Sequence, residues 1–226
     1  KDSLIKYHSD LRRMISGVIS IPSSIVFPQN VRIIGAINID ETTHYLSPKI
    51  LDRAHIVKFD SPLLFDWAQI ETEINTEHDA NKAIKFESHQ FDDRQKYPRF
   101  DRKNDFCLKL TELTKSFFTP MGVEVGLRTI RQGLNYQSKL SVFSDNDDLF
   151  MNNFLLQKVM PKLTFDGNKM FGDKELKDLL LQLQAQLHPN ILNNRVSSAD
   201  GIDAVEEFEM LVSKAKINDW IVNYWA

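Results

Sequence analysis

Asn30-Val31-Arg32-Ile33-Ile34-Gly35-Ala36-Ile37-Asn38-Ile39, with the segment from Asp40 to Phe59 that follows it (DETTHYLSPKILDRAHIVKF), decides how this chain is read. The first ten residues are mostly apolar and β-branched. Pro28 precedes them and Asp40-Glu41-Thr42-Thr43 follows, which is the pattern of a strand buried on both faces. Ser47-Pro48-Lys49-Ile50 then starts a short helix, with the Ser47 hydroxyl placed to accept from an orphan N–H and Pro48 suited to the first helical position. Ile56-Val57-Lys58-Phe59 reads as a second strand before Ser61-Pro62. Strand, short helix, strand is the grammar of a parallel α/β sheet.

Outward from this stretch the pattern changes. On the N-terminal side, Leu4, Leu11, Ile15 and Val18 recur near helical spacing until Gly17 and Ile21-Pro22-Ser23-Ser24 break it. On the C-terminal side strand signals almost vanish. Leu63 to Asn75 predicts a helix, and 76–104 is a polar, charged stretch whose Tyr97-Pro98 prevents one continuous helix, so an insertion or mobile loop is expected there. Four apolar stripes follow: Phe106, Leu110, Leu113, Phe117; Leu127, Ile130, Leu134; Phe150, Phe154, Met160; and Leu176, Leu179, Leu180, Leu183, Leu187. Val205, Phe208, Val212 and Ala215 predict a last helix before the aromatic tail from Trp220 to Trp225. The expected organisation is a piece of α/β core over 1–62 and an all-helical part over 63–226, mostly helical overall.

Composition narrows the function classes. Apolar residues make up 42% and charged ones 26% of 226 residues, which places the chain among folded globular proteins. A formal net charge of -3 argues against a nucleic-acid surface spread over the whole chain. Cys107 is the sole cysteine, so neither an intrachain disulfide nor a Cys-based zinc site can form, and a reducing cytoplasm fits best. No apolar run approaches the roughly 20 residues that span a bilayer, so no membrane association is expected. The chain opens on Lys1-Asp2-Ser3 without an initiator Met, as expected of a processed product, an expressed domain or the ordered part of something longer.

A parallel strand delivers its C-terminal end to the ligand crevice of an open α/β sheet, and here that end carries Asn38, Asp40, Glu41, Thr42 and Thr43. The plainer alternative is that Asn38 ends a strand and Asp40 begins a turn. Reading Ile33 to Glu41 as a Walker B strand requires an upstream phosphate-binding loop. G-x-x-x-x-G-K-[ST] occurs nowhere in the chain, so that reading fails within it. The histidines at 8, 44, 55, 78, 89 and 188 show no metal-ligand spacing. Lys96, Arg99, Arg102 and Lys103, interleaved with Tyr97 and Phe100, are diluted by Asp92, Asp93, Asp101 and Asp105 and read as a solvated loop.

The run NVRIIGAINIDETTHYLSPKILDRAHIVKF resembles the sensor 1 to arginine-finger segment of McrB-like AAA+ proteins, the motor subunits of modification-dependent restriction systems. Ala36 stands where that family usually has Thr. Val125 to Ile130 looks like its sensor 2 helix, Gln157 to Leu163 like its lid segment ending in Leu-Pro-Lys, and Tyr224-Trp225-Ala226 like its usual ending. The resemblance implies the C-terminal part of an AAA+ subunit, a remnant of the α/β core joined to a helical lid, without phosphate-binding loop or Walker B strand. It implies that Asn38 is the sensor 1 residue, that Glu41 lies on the nucleotide side in place of an Asp found in other branches, and that Arg53 is the arginine finger. Arg128 is then sensor 2. The implied cofactor is ATP or GTP with Mg²⁺, and the implied partners are a homo-oligomeric ring, taken as a hexamer, a McrC-like nuclease subunit, and DNA held through other domains. Such a chain alone is expected to be inactive. The alternatives at each residue are that Arg53 pairs with Asp52 or Asp60 and that Arg128 is a solvated helix residue; for the whole chain, the alternative is a non-enzymatic helical interaction module.

Overall fold

The computed structural model describes residues 11, 31–37, 46–59, 67–75, 98–99, 101, 103–144, 146–196 and 201–225. Two compact units are present, Lys1–Asn38 and Ile39–Ala226. In the first, residues 31–37 have neither helical nor strand structure and every one of them is exposed, Ile34 to 97%. The buried strand that their composition implies is therefore absent over those residues. Residues 55–59 likewise take no regular structure. The physical reason is shared: a parallel strand needs a neighbouring strand, and among the described residues neither segment belongs to a sheet. The predicted first helix, sensor 1 and the 76–104 insertion fall almost wholly outside the described residues.

The second unit is mostly helical. Its elements are α1 (Pro48–Leu51), α2 (Trp67–Asn75), α3 (Asp105–Leu113), α4 (Leu127–Leu140), α5 (Asp147–Phe154), α6 (Leu176–Gln186) and α7 (Ala204–Ile217). Single π-helical turns extend α3 to Phe118 and α5 to Val159, whereas the chain beyond α6 kinks at His188, whose φ of -133° and ψ of 131° are extended. Side-chain caps fix three starts. Asn104 Oδ1 accepts from the Cys107 N–H before α3, Asn146 Oδ1 from Asp148 and Leu149 before α5, and Asp203 Oδ1 from Val205 before α7. Ser47 starts α1 differently from expectation: its carbonyl, not its hydroxyl, accepts from the N–H groups of Ile50 and Leu51.

The stripes of α3 and α6 are buried throughout, as are Val205, Phe208, Val212 and Ala215 on α7. The stripe on α4 meets the core in part: Leu134 is buried and Ile130 packs against the core. Leu127 is 76% exposed, while Thr129, Gly133, Leu134 and Asn135 are buried. Gly133 lets α4 come close to α3: the Phe106 ring lies so near that a β-carbon on residue 133 would sit 2.5 Å from its Cζ, and α4 makes this approach through its one position without a side chain. Phe106 in turn meets Phe150 and Phe154 edge-on, both at 4.9 Å between ring centres.

Two short antiparallel ribbons were not foreseen. β1 (Thr164–Asp166) pairs with β4 (Ile221–Asn223), with Phe165 opposite Val222, and β2 (Met170–Phe171) pairs with β3 (Lys174–Glu175) around Gly172 at φ 63°. The tail then closes on the end of α5, where Tyr224 N–H donates to the Leu163 carbonyl and Trp225 Nε1 to the Pro161 carbonyl.

Candidate functional site

The short helix α1 ends against the first turn of α4 and the last turns of the α5 segment, and this junction brings Arg53 and Arg128 into one neighbourhood. Asp52 is its centre. Its carboxylate accepts from Thr129 Oγ1 at 2.9 Å and from Arg128 Nη1 at 3.2 Å, with Lys162 Nζ 3.6 Å away. Burial pulls the Asp52 carboxyl upward, but the Thr129 hydrogen bond and the charges of Lys162 and Arg128 outweigh it and hold the group below the usual carboxylate range.

Four residues of helix are too few to satisfy their own terminal carbonyls. The helical bundle does it for them. Lys158 Nζ donates to the Asp52 carbonyl at 3.4 Å and the Ala54 carbonyl at 2.6 Å, and Gln132 Nε2 donates to the Arg53 carbonyl at 3.1 Å. Beyond the turn, His55 Nδ1 lies 3.1 Å from Gln157 Oε1, and Ile56 N–H donates to the Gln157 carbonyl. Lys158 is only 2% exposed. Loss of hydration and the nearby Lys162 ammonium bring its pKa down to about 8, against the raising effect of Asp52.

Arg53 contrasts with everything around it. Its backbone is held by its own N–H bond to the Ile50 carbonyl and by Gln132, yet its side chain is exposed and no described residue pairs with the guanidinium. The alternative pairing with Asp52 does not occur, because Asp52 is engaged by Thr129, Arg128 and Lys162; Asp60 lies outside the described residues. Arg128 is an exposed residue of α4, as the alternative has it, and pairs with Asp52. The sequence-predicted residues Asn38 and Glu41 lie outside the described residues.

No protein-family model matches the chain, and no curated protein and no solved structure matches it.

The junction gathers cations: Arg128 and Lys162 flank the Asp52 carboxylate, Lys158 holds the backbone carbonyls of Asp52 and Ala54, and Arg53 stands next in the chain with its side chain exposed. Among the described residues no group of three or more His, Cys, Asp or Glu side chains able to hold a metal ion is found. Nor is any described helix long and apolar enough to cross a membrane. A separate concavity of about 320 Å³ lies elsewhere, lined by Ile56, Lys58, Asn153, Gln157, Ile202 and Glu207 among others, with Lys58 paired to the buried Glu207. Its lining includes none of Asp52, Arg53, Arg128 or Lys158.

Sequence reasoning missed Lys158, Gln132 and Thr129. A signal existed for the first. Phe150, Phe154 and Lys158 are spaced four apart, so a lysine continues an apolar face, and a charge there requires a buried partner.

Proposed function

We propose that this chain is the C-terminal segment of a McrB-like AAA+ nucleoside triphosphatase that assembles into a homo-oligomeric ring, taken as a hexamer, in the cytoplasm and drives a McrC-like nuclease in DNA restriction. One observation carries the reading beyond the sequence resemblance: Arg53 keeps an exposed guanidinium that pairs with no described residue, on a turn whose backbone is fixed from within. A guanidinium that must reach the nucleotide of a neighbouring subunit has this requirement, with a rigid base and a free head. The bound ATP or GTP with Mg²⁺ supplies the phosphoryl group that is transferred. Arg53 offsets charge on it from the adjacent subunit, Arg128 reaches it from α4 by sharing or leaving Asp52, and Asn38 and Glu41 face it from the end of the first predicted strand. On this reading, residues 30–39 and 56–59 become parallel strands of a complete AAA+ core, and their exposed apolar side chains are covered there.

The second reading, a non-enzymatic helical interaction module, draws on the same exposed apolar groups, Ile34 and Phe59 above all. Subunit mixing separates the two. In the complete subunit, Arg53→Ala and a variant lacking the P-loop lysine are each inactive, and exchange of their subunits restores part of the hydrolysis because some interfaces regain both groups. An arginine finger is worth about 10³ to 10⁵ in rate, so the recovered signal is easily read. Mixed rings confirmed by native mass spectrometry without any recovered activity overturn the assignment in trans, and an upstream sequence lacking a P-loop overturns the motor reading as a whole.

A further inference from the structure

We propose that Lys158, assisted by Gln132, is a positioning residue for Arg53 and makes the arginine-bearing turn part of the helical body. The inference rests on the reading of Arg53 just given, but its geometry stands independently. Three successive carbonyls, of Asp52, Arg53 and Ala54, leave α1 without helical partners, and side chains of α4 and the α5 segment take all three. Lys158 spans the outer two, so one ammonium brackets the residue between them. A cation suits the C-terminal end of a helix, where carbonyl dipoles converge.

Burying an ammonium is costly, and a well-packed apolar side chain would stabilise a helix core at least as well. Stability alone therefore gives no reason for a lysine at a position 2% exposed. Holding the turn does. The chain on either side of Arg53 is thereby fixed to the helices, while the Arg53 head is left outside the clamp. The consequence is mechanical: when the helical part shifts, Arg53 moves with it, and the reach of the guanidinium across a subunit boundary is set by the position of α4 and α5.

The test begins with the 226-residue chain. In a Cys107→Ser background, spin labels are attached at Arg53→Cys and Ser213→Cys, and the distance distribution is measured by double electron–electron resonance. Lys158→Met should broaden a single narrow distribution into a wide one while circular dichroism shows the helices intact, and Lys158→Arg should restore part of the narrowness. Should Lys158→Met fail to fold, Gln132→Leu at the partly exposed partner site gives the same readout in weaker form. An unchanged distribution in the folded variants overturns the proposal.

In the complete ring-forming subunit, Lys158→Met should lower kcat about a hundredfold, the scale of a misplacement near 1 Å, with KM within a few-fold. Combined with Arg53→Ala it should cost nothing further. A broadened distance with unchanged kcat shows that the clamp does not position a working Arg53 and overturns the inference. If instead Arg53→Ala itself leaves hydrolysis intact, the finger assignment fails, and the spin-label result alone still decides whether Lys158 holds the turn.

Discussion

Replacing Asp52 with alanine removes the acceptor at the centre of the junction, and the structure says which of its contacts matters. The Thr129 hydroxyl is 1% exposed and donates to Asp52 at 2.9 Å. Stranding it costs about 1–3 kcal/mol. The ion pairs are weaker: the Arg128 side chain is about half exposed and Lys162 stands at 3.6 Å, so each adds no more than about 0.5 kcal/mol. The expected loss is about 2 kcal/mol, read as a lower urea midpoint at unchanged slope. A double-mutant cycle with Thr129→Val should give a coupling near 1 kcal/mol, and one with Arg128→Ala less than about 0.5 kcal/mol. Because the folded carboxyl titrates below its unfolded value, its contribution is present above about pH 4 and is lost as pH falls through the folded value. The gap between wild type and Asp52→Ala should close in acid. A coupling to Arg128 larger than that to Thr129, or a gap that widens on acidification, refutes the reasoning.

Gly133→Ala places a methyl group 2.5 Å from Phe106 Cζ and 3.0 Å from Phe154 Cε2 and should cost about 1–3 kcal/mol by chemical denaturation, despite the better helix propensity of alanine. The pH dependence of Lys158 runs opposite to that of Asp52. Its folded pKa of about 8 lies below the unfolded value near 10.4, so between them the unfolded chain binds more protons and the native state gains stability as pH rises. Wild-type stability relative to Lys158→Met should therefore increase, by on the order of 2 kcal/mol, from about pH 8 to about pH 10. A flat or falling difference in paired urea titrations would exclude a buried ammonium.

The helical part was legible where a single apolar stripe meets a single neighbour. Leu176, Leu179, Leu180, Leu183 and Leu187 lie on one face at helical spacing, and all five are buried. Helix α4 was readable as a helix and its stripe held at Ile130 and Leu134 but not at Leu127, and the close contact at Gly133 went unread because a glycine that admits a ring looks in sequence like a weakness in the stripe. β1 and β4 were invisible for another reason: each is three residues long, and Thr-Phe-Asp and Ile-Val-Asn carry too little alternation to stand out. The strand character of 30–39 is plain in composition, yet composition specifies a capacity to pair and not the neighbour, and among the described residues no neighbour is present. At the junction, the sequence placed Arg53 and Arg128 but offered Asp52 to the wrong arginine. Adjacent helical residues point about 100° apart, so Asp52 is better aimed at another helix than at Arg53. For contacts made across the sequence, such as those of Lys158 with Asp52 and Ala54, the sequence marks the lysine on its apolar face but not the carbonyls that it takes.

The pairing of β1 with β4 also sets the order in which this chain is completed on the ribosome. β1 is made well before its partner, and α6 and α7 lie between them in sequence. Vectorial synthesis therefore leaves the Thr164–Asp166 edge open while both helices emerge. Only when Ile221–Asn223 has cleared the exit tunnel can that edge be sealed and Trp225 dock on the Pro161 carbonyl, so this closure has to wait until both helices have been made.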